Sequence, residues 1–271
     1  KFFVWRPEEI DEILGDQNGS LIRKYYGVTA VGNFEGHSIL NVDAGSREEL
    51  VQSGLSAQDI DSLISLAKTS LLSERQKRVS PDRDDKILTA WNGLMLAAFA
   101  EAGAVLDRDD YVKVASDSAA FLIKHLRNEG RLLRTHKDGK SKLLGYLEDY
   151  SFLIDGLLIL HESSFDPFWL KTAVELGEEM ISLFWDDNTE QFFDTGSDHE
   201  KLVVRPLDIT DNAIPSGSSM ATNVLLRLAI LTGDADMNQR ALNALKRAGQ
   251  LMQKFPTGSG HWLCGLDFYL S

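Results

Sequence analysis

Two adjoining stretches decide the fold: DDYVKVASDSAAFLIKHLR (109–127) and LEDYSFLIDGLLILHESS (147–164). In the first, Tyr111, Val114, Ala115, Ala119, Leu122 and Leu126 recur at helical spacing and make one apolar stripe, with Lys113, Asp117, Lys124 and Arg127 largely off it. Such a helix has one wet face. In the second, Phe152, Leu153, Ile154, Leu157, Leu158, Ile159 and Leu160 cover most of the helix circumference. A helix that is apolar nearly all round is buried. The pair therefore predicts an outer helix packed on an inner one.

Working outward, the same pair recurs. A helix over 56–78 leads into DDKILTAWNGLMLAAFAEAG (84–103), and DPFWLKTAVELGEEMISLFW (166–185) leads into PSGSSMATNVLLRLAILTG (215–233). A further striped helix, 234–254, carries Met237, Ala241, Ala244, Leu245, Ala248 and Met252 and runs toward HWLCGLDFYLS (261–271). Repeated helical hairpins stack because one hairpin cannot bury its own apolar face. Asp166-Pro167 reads as an N-cap followed by Pro at the first helical position, and Gly103 and Gly233 read as helix stops. Inner-to-outer connections are only a few residues long. Outer-to-inner connections are long: residues 130–145 hold an Asp138-Gly139 turn signal between short apolar runs, and residues 191–208 read as the same shape. Arg134-Thr135 in one loop is matched by Asp194-Thr195 in the other. One rim thus has tight turns and the other carries hairpin loops, and function is expected on the elaborated rim. Residues 1–54 read as a truncated first hairpin and its loop, with a short helix over 7–15 and a strand-turn-strand over 27–42. Residues 1–271 then form a single domain segment.

Composition limits the function. Of 271 residues, 43% are hydrophobic and 25% charged, as in an ordinary globular protein. A formal net charge of -13 argues against nucleic-acid and anionic-membrane partners, which need clustered Lys and Arg. Cys264 is the only cysteine, so no intrachain disulfide forms and no Cys-rich metal site exists. That usage fits a cytoplasmic location. In its apolar stretch, with no adjacent Lys or Arg, Cys264 reads as a buried, unreactive thiol. The longest membrane candidate, 87–100, is interrupted by Thr89, Asn92 and Gly93. No paired-histidine metal spacing, glycine-rich phosphate loop or calcium loop occurs, so neither a metal nor a cofactor is expected.

The long loops deliver acids to the starts of inner helices: Asp84 and Asp85, Glu148 and Asp149, Asp208 and Asp211. Carboxylates there cap free N–H groups. One acid per helix start suffices for that, and the doubling points to a shared pocket in which two carboxylates act as general acid and base. Asp85, with Asp149 or Asp211, is the expected catalytic pair. Trp91 and Tyr150 would be the stacking platform. Asp84, Asn92, Glu148, Ser216, Ser218 and His261 complete the expected binding set. Aromatic faces with carboxylate and amide groups are what a sugar cleft uses. The competing readings are that Trp91 and Tyr150 are core residues with a satisfied polar tip, that Asn92, Asp155 and Asn223 bond neighbouring helices, that Ser216 is an N-cap, and that His125 is packed.

DDKILTAWNGLMLAAFAEA, LEDYSFLIDGLLILHE, FFDT and the PSG segment resemble the thioredoxin-domain-containing family of the spermatogenesis-associated protein 20 type. The resemblance covers essentially the whole chain. It implies an all-α fold, the later part of an (α/α)6 toroid similar to N-acylglucosamine 2-epimerases and six-hairpin glycosidases, with short β-hairpin loops on one rim. The family's N-terminal thioredoxin-like domain is absent from this chain, so no redox activity is implied. Where the family reads PSGNS, this chain has Ser218 in the Asn place. The resulting expectation is a carbohydrate-binding or carbohydrate-modifying toroid domain, hydrolase-like in its carboxylates. The alternatives are a noncatalytic partner-binding scaffold and a sugar epimerase or isomerase. A small sugar is the expected ligand. The remainder of the polypeptide, or a second copy, is expected to cover the apolar flanks of the first and last helices.

Overall fold

The computed structural model describes residues 2–200 and 203–271; Lys201 and Leu202, within the second long loop, lie outside the described residues. The chain forms two compact units, Lys1–Asp84 and Asp85–Ser271. The first holds β1 (Val4–Trp5), α1 (Pro7–Leu14), α2 (Asp16–Tyr25), β2 (Ser38–Ile39), α3 (Ser46–Gln52) and α4 (Ala57–Gln76). Pro7 opens α1, and Ser56 caps α4 by accepting from the Asp59 N–H at 3.2 Å. Trp5, Ile10, Ile22, Ala67 and Leu71 form one core cluster, and Leu50, Ile60 and Ile64 a second. The strand-turn-strand expected over 27–42 does not form. β2 pairs instead with β1, Val4 opposite Ile39. The Asn33 side chain takes both backbone groups of Ile39, accepting from its N–H at 2.8 Å and donating to its carbonyl at 2.9 Å, so the preceding half is a side-chain-tied loop. α2 and α3 escape sequence reading because their only large fully buried apolar residues are Ile22 and Leu50, too narrow a stripe to show periodicity.

The second unit contains β3 (Ile87–Leu88), α5 (Thr89–Val105), α6 (Asp109–Leu126), β4 (Arg127–Asn128), β5 (Arg131–Lys137), β6 (Lys140–Leu144), α7 (Leu147–Ser164), α8 (Pro167–Phe184), β7 (Trp185–Asp186), β8 (Gln191–Phe192), α9 (Gly217–Thr232), α10 (Ala235–Lys254) and α11 (Gly260–Leu270). α7 packs between α5 and α9, and α11 lies against α9; these four make the inner layer. α6, α8 and α10 form the outer layer. The hydropathy contrast is realised in burial: α7 buries Leu147, Tyr150, Phe152, Leu153, Ile154, Leu157, Leu158 and Leu160, whereas α10 buries a single stripe from Met237 to Met252. The closest inner contact is built by glycines. A Cβ on Gly93 would stand 2.6 Å from the Phe152 carbonyl carbon, and one on Gly156 2.8 Å from the Gly93 oxygen, so α5 and α7 touch backbone to backbone.

Tight turns close one rim. Gly233, at φ 75°, ends α9 in the left-handed conformation that favours glycine, and Asp234 caps α10 by accepting from the N–H groups of Asp236 and Met237. Asp166 caps α8 through the Phe168 N–H at 2.9 Å. Gly103 is not a stop. It lies inside α5 because Val112 of α6 crosses there, 2.6 Å from where a Cβ would stand. The other rim carries the strands. β3, β5 and β6 form an antiparallel sheet with Ile87 opposite His136 and His136 opposite Ser141, turned at Asp138-Gly139, both at positive φ. β3 also corrects the reading of Asp84 and Asp85: strand pairing of Ile87-Leu88 delays the helix to Thr89, leaving both acids exposed upstream of it. In the second long loop, β8 turns back to pair with β7, Trp185 opposite Phe192, and residues 203–216 form no regular element. The Asp186 carboxylate sets that turn by accepting from the N–H groups of Asn188 and Thr189.

α11 meets its neighbours through Trp262 and Gly265, its only fully buried residues, and exposes Phe268, Tyr269 and Leu270. Cys264 falls off the buried face and is exposed, contrary to its apolar sequence context. His125 is exposed too, although its ring packs against those of Phe121 and His136, 4.6 and 5.3 Å between centres. Among the described residues no helix is long and apolar enough to cross a membrane, and no group of three His, Cys, Asp or Glu side chains is placed to hold a metal ion.

Candidate functional site

A cleft of about 480 Å³ opens on the strand-bearing rim of the second unit. Arg134 of β5 and Tyr146 and Glu148 at the start of α7 form one wall. Asp194 and Thr195, after β8, form another. The third is the extended segment 206–212, which continues through Ile214 and Pro215 to Ser216 and Gly217 at the start of α9. Pro206, Asp208 and Thr210 face the cleft, while Leu207 and Ile209 line a separate apolar pocket, as the two-residue alternation of extended backbone requires. Several bonds fix the segment. The Asp194 N–H donates to the Pro206 carbonyl at 3.0 Å, the Asp208 N–H to Asp194 Oδ2 at 2.9 Å, and the Trp262 indole N–H to the Ile209 carbonyl at 2.8 Å.

Three carboxylates and one guanidinium dominate the cleft. Arg134 Nη1 bonds Glu148 Oε1 at 2.8 Å and Asp149 Oδ2 at 3.0 Å, and its guanidinium lies 4.7 Å from the Tyr146 ring centroid. Tyr146 in turn stacks on His199, 5.3 Å centre to centre and 20° from parallel. The Asp194 carboxyl is pushed up to about 6, chiefly by burial, with the nearby charges of Asp208 and Glu148 adding to the rise against the opposing pull of the Asp208 N–H. An acid that titrates near 6 beside an arginine-held carboxylate can donate a proton in mildly acidic to neutral solution while its neighbour accepts one.

Of the residues singled out from sequence, Glu148, Asp208 and Ser216 line this cleft. Ser216 also caps α9, its Oγ accepting from the Ser219 N–H at 3.1 Å. Asp149 is fully buried behind Arg134. Its Oδ1 accepts from the Ala90 N–H at 3.0 Å and its Oδ2 from the Tyr146 N–H at 2.9 Å, so it clamps the start of α5 to α7; burial holds its carboxyl up at about 6 against the pull of Arg134. Asp211 is a brace. Oδ1 accepts from the Ser216 N–H and the Ser219 hydroxyl at 2.9 and 2.6 Å, and Oδ2 from the His261 N–H at 2.8 Å, tying α9 to α11. Tyr150 is a core residue whose hydroxyl accepts from the Leu132 N–H and from Arg131, each at 2.9 Å. Trp91 is 66% exposed and outside the cleft lining, and Asn92 donates to the Leu88 carbonyl of its own helix start. Asp84 and Asp85 also lie outside the lining. His261 sits in the first turn of α11, its pKa lowered by burial despite Asp211. Ser218 lines the apolar pocket instead. Asp155 and Asn223 bond neighbouring helices: Arg227 donates to Asp155 Oδ1 at 2.7 Å, and Asn223 donates to the His261 carbonyl at 3.0 Å.

Asp194 carries the cleft's most perturbed carboxyl, yet sequence reading reached it only as the partner of Arg134-Thr135. The signal available was RPLDIT (205–210), whose alternation places Asp208 opposite Leu207 and Ile209.

The layers and loop-bearing rim define the class: an all-α, partial (α/α) toroid of the six-hairpin kind, with short β-hairpins on one rim. The same architecture occurs in cellobiose 2-epimerase from Spirochaeta thermophila (TM-score 0.52, 16% identity, 62% of this chain and 44% of that one). It occurs also in a family 105 glycoside hydrolase from C. acetobutylicum (TM-score 0.51, 13% identity, 77% and 61%). In sequence, the chain is related to spermatogenesis-associated protein 20: it is 30% identical to the human protein over 285 residues, which cover 94% of this chain. It spans 36% of that protein's length. No family model matches the chain.

Proposed function

We propose that the rim cleft binds a carbohydrate and that its carboxylates carry hydrolase-like acid/base chemistry. One observation supports this above the rest: Asp194, with its raised pKa, shares the cleft with Glu148 and Asp208 on the rim where a toroid's loops converge. The fold is shared with proteins named as an epimerase and a glycoside hydrolase, which supports a sugar ligand by analogy only. In this reading Asp194 is the general acid. It protonates the glycosidic oxygen as the bond to the anomeric carbon breaks, and water adds to that carbon. Glu148, positioned by Arg134, takes the proton lost by the water. Tyr146, held between the Arg134 guanidinium over its ring and the stacked His199, borders the sugar with its ring edge and hydroxyl. Asp149 and Asp211 are assigned to bracing the helix starts, and Asp85 has no role in the step.

The test is turnover of a panel of aryl glycosides. Activity should fall on the alkaline side through the Asp194 titration, and Asp194→Asn should lower kcat by roughly 10²–10⁴-fold. Turnover by the wild type that Asp194→Asn leaves unchanged would remove Asp194 from the chemistry. Absence of turnover across the panel would leave binding without hydrolysis as the function to reject or retain by direct titration.

A further inference from the structure

The segment 206–212 has two sides. Beneath its apolar side lies a second cavity of about 190 Å³, lined in part by Phe192 of β8, Leu207 and Ile209 of the segment, Ala244 and Ala248 of α10, and Trp262 of α11. The two alanines make the room: on the buried stripe of α10 they stand where a larger residue would reach Phe192 and Trp262. Gln191 and the exposed Arg247 also border this space, and one buried hydroxyl lies in its lining. Ser218, in the first turn of α9, is only 3% exposed, and its Oγ has no hydrogen-bond partner among the described residues. The next two hydroxyls behave differently: Ser219 donates to Asp211 and Thr222 to the Ser218 carbonyl. A buried hydroxyl left unpaired costs about 1–3 kcal/mol, so such groups ordinarily have a partner.

Size and lining narrow what supplies that partner. A dry cavity of about 150 Å³ lined by aliphatic and aromatic side chains takes up benzene. This one is slightly larger and is walled by two aromatic rings, with Gln191 and Arg247 at its border and one buried, unpaired hydroxyl. We propose that it is a binding site for a compact aromatic ring bearing one hydroxyl, a phenol, with the ring between Phe192, Trp262 and the two alanines and the phenolic oxygen on Ser218 Oγ. The site is distinct from the acidic cleft, and the proposal stands whether or not that cleft binds sugar. Leu207 and Ile209 would meet the ring, while Asp208 between them faces the cleft, so one segment borders both ligands.

Phenol itself is the probe, titrated into the full chain with selective labelling of Leu, Ile and Ala methyl groups. The expected result is saturable shifts at Leu207, Ile209, Ala244 and Ala248, with a dissociation constant in the millimolar range or tighter. Ser218→Ala should weaken binding about 3- to 10-fold, the loss of one hydrogen bond, while preserving the apolar shifts. Ala248→Leu should abolish binding by filling the space. Ala244→Val is the second filling variant if the first fails to fold, and methyl spectra of each variant report folding directly. Benzene binding as tightly as phenol to the wild type would remove the role of Ser218. No saturable shifts, equal binding by the filled variant, or a high-resolution structure in phenol with only water on Ser218 would overturn the site.

Discussion

Replacing Gly93 by alanine tests the backbone contact that holds the inner layer together. A Cβ there would stand 2.6 Å from the Phe152 carbonyl carbon, 2.7 Å from the Phe152 oxygen and 2.7 Å from the Leu153 nitrogen. All three are backbone atoms of α7, so no side chain can swing aside. Carbon atoms pack at about 3.5–4.0 Å, so the two helices must part by roughly 1 Å where they cross. Overpacking of this kind costs about 1–3 kcal/mol. The rigid obstacle places Gly93→Ala at or above the top of that range, and alanine's better helix propensity returns about 1 kcal/mol. The net expectation is a loss of roughly 2–3 kcal/mol, or about 4–12 °C in Tm. Gly249 of α10 is the control, because nothing lies within 4 Å of its Cβ position. Gly249→Ala keeps the propensity gain without the clash and should stabilise by up to about 1 kcal/mol. Urea unfolding followed by far-UV circular dichroism, with m-values compared, reads both. Gly93→Ala melting with the wild type, or the two variants shifting in the same direction, would refute the close α5–α7 crossing.

The Asp194 carboxyl titrates near 6 in the folded chain and near 3.9 when unfolded, so the folded state holds more protons between those values. Stability should therefore fall as pH rises from about 4 to 6 and stay lower above it. Asp194→Asn should gain about 1–2 kcal/mol over the wild type at pH 7, after discounting for partial exposure, and nothing below about pH 4; a pH-independent difference in urea midpoint would contradict this. Asp211→Ala strips the acceptor from the Ser216 and His261 N–H groups and from the Ser219 hydroxyl, and should cost about 3 kcal/mol or more in the same assay, with Asp211→Asn recovering part. Cys264 should react stoichiometrically with a thiol reagent in the native protein; labelling only on unfolding would show that its helix face is covered.

The helical layers were legible because their cause is one-dimensional. An all-apolar run such as 152–160 has no wet face to offer, and a stripe such as Met237 to Met252 has one, whatever lies around them. The cleft was only half legible, because successive residues at a helix start turn by about 100°. Glu148 faces the cleft, Asp149 turns back to the N–H groups of Ala90 and Tyr146, and Tyr150 enters the core. Counting acids at helix starts cannot separate these three. Asp194 is placed by a loop hydrogen bond from Asp208, 14 residues away, which carries no periodic signature. Cys264 misled for a related reason: α11 is apolar all round, and its exposed residues are as apolar as its buried ones.

The central claim is that the rim cleft, bordered by Glu148, Asp194 and Asp208, is where this chain meets a sugar. Saturation-transfer NMR against a panel of neutral mono- and disaccharides, using the wild type and the Glu148→Gln/Asp194→Asn double variant, tests it most directly. The account predicts at least one saccharide that receives saturation from the wild type and not from the folded double variant. A panel with no binder, or a binder held equally by both proteins, would contradict it.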